Sequence, residues 1–354
     1  MDSVTHDSLR EAAARQAHHP FAFTGSGGEY FRIWLVNLLL TILTLGIYSA
    51  WAKVRRERYF HRNTLVDGSA FEYHGNPIAI LKGRLLVVGF LVVQNLAGGL
   101  SPIVAGILSI LLVAGMPWII CQAMRFRAAN SSWRGVHMGF SGTAAGMARV
   151  YLLNGLLVLI TLGLAMPWWL NRFHRYIVSN LKFGDAQFNC APPVRKYYAP
   201  IFAMLGFILL FIVALVTLTL ASKFSSVEMD KESLGALILV FMIGFYVGLL
   251  FISTSYVRAR LSNAMWNFTT LQNGRFESRL RARSLFGIQL VNWIAIILTL
   301  GLFTPYAKIR MARYRAETFA LSLTDLEGFV GEQTGNNRAL GDEAAEIFDV
   351  DLGF

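Results

Sequence analysis

Apolar residues along the chain are gathered into seven long, uncharged stretches that alternate with short polar segments. The stretches lie at residues 33–52, 85–96, 103–121, 150–170, 201–222, 234–257 and 285–307. Roughly 20 residues of helix cross the hydrocarbon core of a bilayer, and backbone groups within lipid must be paired inside their own segment. The pattern therefore predicts an all-α, multi-pass membrane protein with four to seven membrane-embedded helices.

An internal repeat organises these stretches. The order Asn, six residues, Thr-Leu-Gly, eight residues, Arg, two residues, Arg-Tyr begins at Asn37, Asn154 and Asn292. A second pattern, Arg-x-Arg-x-x-Asn-x-x-Trp, begins at Arg125 and Arg258. Self-similarity of this kind indicates repeated structural units. We divide the chain into an N-terminal tail (1–19), a first membrane repeat (20–125), a second repeat (126–262), a partial third repeat (263–325) and an acidic C-terminal tail (326–354).

Two of the polar loops alternate between apolar and polar residues. They cover residues 70–75 and 182–188, and Pro77 and Pro192 follow them. Alternating runs bounded by Gly and Pro are typical of short strands. The sequence thus predicts a few short β-strands on the cytoplasmic face of the helices.

The distribution of Lys and Arg predicts the topology. Five connections are basic, at residues 53–84, 125–149, 172–200, 258–283 and 308–315. Because cytoplasmic loops carry the excess of Lys and Arg, all five are predicted on that side. Each Thr-Leu-Gly segment must then enter and leave on one face, as a broken or re-entrant hairpin. Its Gly, and Pro167 and Pro305 in two copies, would break the helix. The alternative is seven full crossings, which would place residues 172–200 opposite residues 53–84.

Composition excludes several classes of protein. Apolar residues make up 55% of the chain and charged residues 15%, whereas soluble domains carry about 25% charge. The net charge of +11 lies in segments that flank apolar stretches, which indicates membrane anchoring rather than nucleic-acid binding. Cys121 and Cys190 are isolated, and the histidines lack ligand spacing. We therefore expect no metal and no cofactor.

The repeated Arg-Arg-Tyr triplets are the candidate binding residues. Their members are spaced i, i+3, i+4, which places each triplet on one helix face. One interpretation is general anchoring to anionic lipid in the headgroup layer. The other is an organised phosphate site, since Arg binds phosphate with two parallel hydrogen bonds. The residues are Arg55, Arg58, Tyr59, Arg172, Arg175, Tyr176, Arg310, Arg313 and Tyr314.

Polar residues inside the apolar stretches form a second candidate set. Asn37, Asn154 and Asn292 occupy one repeat position, where they would hydrogen-bond across helices or line a pathway. No Asp, Glu, Lys or Arg lies deep within an apolar stretch, which argues against an ion-coupled carrier. No Ser or Cys nucleophile with a base is recognisable, so we do not expect an enzyme.

Several of these motifs resemble a known family. The run Phe31-Arg32-Ile33-Trp34, the segment 44–53 with Thr44-Leu45-Gly46, the pair Arg58-Tyr59 and the segment 71–75 resemble the YjgN-like family of bacterial inner-membrane proteins. The resemblance covers nearly all of residues 21–330. It implies a location in the bacterial inner membrane and supplies no catalytic residues.

The leading functional hypothesis is binding or movement of an anionic lipid or small solute at the cytoplasmic leaflet. Anionic phospholipid is the expected partner, and nucleic acid is not. The alternative is a membrane scaffold or assembly partner without transport activity, and a membrane-embedded enzyme ranks third. The acidic tail would bind a protein partner or the basic loops.

Overall fold

Strands of three to seven residues alternate with pairs of helices along the chain. The computed structural model describes residues 17–224, 231–331 and 333. The strands are β1 (Ala17–Phe23), β2 (Thr64–Val66), β3 (Ser69–Tyr73), β4 (Ser131–Trp133), β5 (Val136–Phe140), β6 (Leu181–Phe183), β7 (Ala186–Cys190), β8 (Thr269–Leu271), β9 (Gly274–Ser278) and β10 (Phe319–Leu323).

The helices come in five pairs. The first three helices of the chain are α1 (Gly27–Leu43), α2 (Ser49–Arg62) and α3 (Pro77–Leu100). They are followed by α4 (Pro102–Ala129), α5 (Ala144–Ile160, with a π-helical turn at Arg149–Leu153), α6 (Met166–Ser179) and α7 (Arg195–Phe224). The last are α8 (Lys231–Leu250, continued by a π-helical turn at Phe251–Tyr256 and by Val257–Trp266), α9 (Ala282–Leu298) and α10 (Thr304–Glu317).

Within the described residues, ten strands form a closed antiparallel barrel in which each strand pairs with its neighbours in sequence. β1 and β10 close the barrel, with Ala17 opposite Leu323. The β2–β3 and β4–β5 hairpins have two-residue turns, Asp67-Gly68 and Arg134-Gly135, with φ between 49° and 77°. Such turns match the twist of paired strands. Because every β-hairpin turns at one end of the barrel, the helical pairs all leave from the other end.

The predicted all-α class is wrong, because these strands form a complete barrel. β3, β6 and β7 lie within or beside the two loops whose alternation predicted strands. Three of the others, β2, β4 and β8, have only three residues, which are too few to show alternation. Their partners are also distant in sequence: β4 pairs with β3 across the whole α3–α4 pair.

Apolar side chains fill the barrel and form its core. The core includes Val66, Trp133, Val136, Phe183, Phe188, Leu271, Phe276, Leu321 and Leu323. A short helical segment, residues 326–331, covers the end with the hairpin turns and adds Leu326, Phe329 and Val330 to the core. The Gln333 Oε1 atom accepts the backbone N–H groups of Asp185 and Ala186 at 2.7 and 3.2 Å, which fixes this cap to the β6–β7 turn.

Four helices in the described part of the chain are long and apolar enough to cross a membrane. They are Pro77–Leu100, Pro102–Ala129, Arg195–Thr217 and Gly235–Trp266, and they form the α3–α4 and α7–α8 pairs. Few of their side chains are buried inside the protein, which suits a surface that meets lipid. The other apolar helices, such as α5 and α9, have at most 17 residues.

The Thr-Leu-Gly motif joins the two helices of the three shorter pairs. In each copy the Leu has a φ of 48° to 50° and the Gly a φ of 91° to 94°. The Gly46 N–H donates to the Thr41 carbonyl at 2.8 Å, which ends α1 with a left-handed cap. The Thr44 hydroxyl accepts the Tyr48 N–H at 2.9 Å and so supports the start of α2. Leu45 is 95% exposed at the tip.

The helical pairs form a ring beneath the barrel. Neighbouring pairs are in contact through α2 and α3, α4 and α5, α6 and α7, α8 and α9, and α10 and α1. β5 pairs with β6 across the intervening α5–α6 pair, with Met138 opposite Phe183. All five basic segments contain or adjoin barrel strands, so the fold places them on one side of the helical ring.

Replacing Gly163 by Ala should lower the stability of the fold. A Cβ at a φ of 91° is strained, and such strain costs about 1–3 kcal/mol. The matched control is Gly287→Ala in α9, where a Cβ would meet nothing within 4 Å and where Ala favours the helix by about 1 kcal/mol. Thermal unfolding in detergent should show a lower midpoint for the first variant alone. Equal midpoints would contradict the strained turn.

Candidate anion-binding cavity

The tyrosines of the predicted triplets hold the starts of the helical pairs. The Tyr59 hydroxyl accepts the Ser26 N–H at 3.0 Å and donates to the Ser26 carbonyl at 3.0 Å. Tyr176 contacts Thr143 in the same way, and Tyr314 contacts Arg281. Ser26, Thr143 and Arg281 are the N-cap residues of α1, α5 and α9. Each hydroxyl therefore fastens the second helix of a pair to the beginning of the first.

Replacing Tyr176 by Phe should lower stability by about 1 kcal/mol, the net value of a hydrogen bond of this kind. The Thr143 N–H and carbonyl would lose partners that now lie at 2.9 and 2.8 Å. Tyr198→Phe is the control, since the structure shows only a ring contact of Tyr198 with Phe202. Denaturant unfolding should separate the two variants, and an unchanged midpoint for Tyr176→Phe would argue against the fastening role.

The arginines of the triplets are all exposed, and the repeated Asn residues hold two of them. Arg55 Nη1 donates to Asn37 Oδ1 at 3.5 Å, and Arg310 Nη1 donates to Asn292 Oδ1 at 3.2 Å. Asn37 and Asn292 are buried. The exposed set is Arg55, Arg58, Arg172, Arg175, Arg310 and Arg313. Two of the three repeated Asn residues therefore hold one arginine each.

The second copy of the triplet departs from this arrangement. A π-helical turn precedes Asn154, which is only half-buried. Arg172 lies instead over the Trp168 ring, 5.5 Å from its centroid. The remaining arginines also differ: Arg313 donates to the Gly25 carbonyl at 3.2 Å, and Arg58 lines a groove of about 380 Å³ beside β3. The structure does not bring the predicted triplets together into one site.

A central cavity of about 990 Å³ lies where the barrel meets the helical ring. Residues of α2, α6, α8, α9 and α10 and of four strands line it, and none of them belongs to the predicted triplets. The apolar wall consists of Phe21, Phe60, Leu261, Met265, Trp266, Leu280, Leu285, Met311, Ala312, Ala316 and Phe319. The polar lining consists of Arg56, Glu57, Thr64, His174, Arg258, Ser262, Ser278, Gln289, Lys308 and Arg315.

Positive charge dominates the cavity. Four of its lining residues are Arg or Lys, and the carboxylate of Glu57 is the acidic group among them. The Arg56 guanidinium pairs with Glu57 at 2.9 Å, so these two charges largely offset each other. In the described part of the structure, the side chains of Arg258, Lys308 and Arg315 make no ion pair and no hydrogen bond. The cavity therefore holds three positive charges without a counterion from the protein.

The protein around the cavity disfavours the positively charged forms of its side chains. The Lys308 and Arg315 side chains are exposed where they line the cavity, and the surrounding protein partly desolvates them. Burial, together with the nearby Arg56, lowers the pKa of Lys308, and Glu57 opposes this effect. Burial and then the charge of Arg258 lower the pKa of Arg315. Burial also lowers the pKa of His174, which favours its neutral form. An anion entering the cavity would relieve this repulsion.

Sequence reasoning missed the cavity because it took only the Arg-Arg-Tyr triplets as candidate binding residues. Arg258 stands at a repeat position that is also Arg in the first copy, Arg125. Lys308 corresponds to Lys53 in the first copy and to Leu170 in the second, whereas Arg315 stands where the other copies have Phe60 and Ile177. For Arg315, the available signal was a charge at a repeat position that is apolar in the other copies.

A polar cluster borders the cavity on α8 and α9. The Gln289 Oε1 atom accepts the hydroxyls of Thr254 and Ser255 at 3.0 and 2.9 Å. Both hydroxyls belong to the π-helical turn of α8, a feature that occurs frequently at functional sites. Metal coordination is not evident there or elsewhere in residues 17–224 and 231–331, where no group of three His, Cys, Asp or Glu could hold an ion.

The fold and the four long apolar helices define a multi-pass membrane protein with a β-barrel on one face. The chain belongs to the DUF898 family, described as bacterial proteins of unknown function, whose model matches residues 18–347. Inner membrane protein YjgN of Salmonella typhimurium (strain LT2) is 27% identical over 347 residues, covering 85% of this chain and 87% of that protein. Inner membrane protein YjgN of Escherichia coli (strain K12) is 31% identical over 147 residues, covering 41% of this chain and 37% of that protein.

These comparisons confirm the resemblance seen in the sequence and the location in the bacterial inner membrane. No solved structure matches the chain. The similarity extends over both repeats and the barrel, so it concerns the whole architecture rather than one motif.

Proposed function

We propose that the protein binds an anionic lipid or a small anionic solute in the central cavity, at the cytoplasmic leaflet of the inner membrane. The observation that carries this proposal is the combination of three unpaired cations, Arg258, Lys308 and Arg315, with an apolar wall in one cavity. Its volume of about 990 Å³ falls within the usual range of ligand sites, about 300–1,000 Å³.

The two halves of the lining suit the two halves of an amphiphile. Arg and Lys side chains recognise phosphate or carboxylate by charge-assisted hydrogen bonds. Phe60, Trp266 and Phe319 on the wall offer apolar surface to a hydrocarbon chain. The basic segments around the barrel support a cytoplasmic position for this cavity, because cytoplasmic loops carry the excess of Lys and Arg.

The triplet arginines have a separate role in this proposal. They lie outside the cavity and are exposed, so they would meet the headgroups of surrounding anionic lipid and hold the ring at the membrane surface. The acidic tail for which a protein partner was suggested covers residues 326–354, of which residues 326–331 and 333 form the cap of the barrel. Residues 332 and 334–354, and residues 1–16 of the N-terminal tail, lie outside the described residues.

Native mass spectrometry of the protein in mild detergent tests this function. The protein would be titrated with anionic and zwitterionic phospholipids of the same acyl chains. We expect one anionic lipid to be retained per protein and to resist exchange with the zwitterionic lipid. Equal retention of both lipids, or recovery of protein partners without bound lipid, would favour the scaffold alternative instead.

A further inference from the structure

We infer that the preferred ligand of the central cavity carries a phosphomonoester headgroup, a terminal phosphate with two negative charges, on an apolar chain. This inference rests on the proposed function and narrows its ligand class. It follows from the number and arrangement of the unpaired cations rather than from the cavity's overall polarity.

The net charge of the cavity lining is the first observation that favours a phosphomonoester. Arg56 and Glu57 neutralise each other across 2.9 Å. Arg258, on α8, and Lys308 and Arg315, on α10, remain. A phosphodiester would offset one of these three charges, and a phosphomonoester would offset two. The second negative charge of a phosphomonoester therefore strengthens its binding in this cavity relative to that of a phosphodiester.

The number of hydrogen-bond donors on the unpaired cations is the second observation that favours a phosphomonoester. Two guanidinium groups and an ammonium group donate to several oxygens at once, and a terminal phosphate presents three equivalent oxygens. A diester has only two free oxygens, and its second substituent would occupy the polar end of the cavity. The donors of Arg258 and Arg315, which have no acceptor in the described structure, match the monoester better.

The pH dependence distinguishes the two headgroups. A phosphomonoester gains its second charge near pH 6, whereas a diester keeps one charge throughout. The groups that face the ligand are Arg56, Glu57, His174, Arg258, Lys308 and Arg315. Protonation of His174 at low pH would strengthen the binding of either lipid. Because this contribution applies to both lipids, it cancels in the ratio of their two affinities. The ratio therefore depends on the charge of the headgroup.

The experiment measures the affinities of the detergent-solubilised protein for phosphatidic acid and phosphatidylglycerol with identical chains, at pH 7.5 and pH 5.5. We expect phosphatidic acid to bind about tenfold more tightly at pH 7.5, since one additional charge-assisted contact is worth about a factor of ten. At pH 5.5 the ratio should fall toward one. Arg315→Gln should reduce the ratio at pH 7.5, and Arg149→Gln, an exposed residue outside the cavity, should leave it unchanged.

The outcomes separate this inference from the proposed function. Equal affinity of the two lipids at both pH values would overturn the monoester preference while the lipid site stands. Failure of both lipids to bind would overturn the proposed function as well. Displacement of the lipid by inorganic phosphate at an equal concentration would assign the cavity to a soluble phosphate and overturn the requirement for an apolar chain.

Discussion

Replacing Arg258, Lys308 and Arg315 together by Gln should weaken the binding of anionic lipid by at least about 100-fold. A hydrogen bond to a charged group contributes about 1.5–3 kcal/mol, and 1.4 kcal/mol is a factor of ten in affinity. The three side chains carry the net positive charge of the cavity, so little specific attraction would remain. Lipid binding would be measured by native mass spectrometry and by equilibrium titration.

A second triple variant controls for net charge. Arg149, Arg260 and Arg283 are exposed and lie outside the cavity lining, and their replacement by Gln removes the same number of charges. This control should bind lipid within about threefold of the unaltered protein, because the three residues do not line the cavity and charges far from the bound lipid are screened. Equal losses in both variants would show that general surface charge, rather than the cavity, attracts the lipid.

Replacing Phe329 by Ala should destabilise the barrel by about 3–5 kcal/mol, the usual cost of removing a buried Phe. Phe329 is 9% exposed and stacks on Phe183 with ring centroids 5.7 Å apart. It belongs to the cap that closes the barrel end, so its loss would leave a cavity in the core. Chemical unfolding in detergent, followed by near-ultraviolet circular dichroism, would report the change.

Leu45→Ala is the matched control for this core variant. Both substitutions remove a large apolar side chain, but Leu45 is 95% exposed at a hairpin tip and gives up little packing in detergent. A small effect of Phe329→Ala, similar to that of Leu45→Ala, would show that residues 326–331 do not stabilise the barrel.

Membrane character and the repeat are visible in the sequence because both depend on local patterns. Uncharged stretches of about 20 residues predict helices in lipid, and four such helices are present. The Thr-Leu-Gly motif predicts a break, and the left-handed Leu and Gly supply it. Both features can be recognised from residues that are close in sequence, together with the fact that a helix in lipid must be apolar.

The barrel depends on pairing between distant segments, which local patterns do not encode. β1 and β10 begin more than 300 residues apart and pair from Ala17 and Leu323. The triplet tyrosines illustrate the same limit. Their spacing predicted one helix face, but the structure uses their hydroxyls as fasteners to Ser26, Thr143 and Arg281. A residue that recurs in every copy can serve the structure, while Arg315 in the cavity stands at a position that is apolar in the other copies.

A closed barrel holds the connections between all helical pairs on one side of the helical ring. A disulfide between Gly139→Cys and Lys182→Cys tests this arrangement. These residues face each other across β5 and β6, and a Cβ at Gly139 would lie 3.6 Å from the Lys182 Cβ, within the range for a disulfide. Seven full crossings would instead place the two residues on opposite sides of the membrane.

The measurement is peptide mapping by mass spectrometry after mild oxidation of isolated membranes. The native thiols, Cys121 and Cys190, are both buried. In the control pair, Gly139→Cys with Gln187→Cys, the second thiol lies one strand further away, because Gln187 pairs with Lys182, and about 10 Å separates alternate strands. We predict a nearly complete disulfide for Gly139→Cys with Lys182→Cys and none for the control pair. Absence of the first disulfide, with both thiols intact, would contradict the barrel and the cavity beneath it.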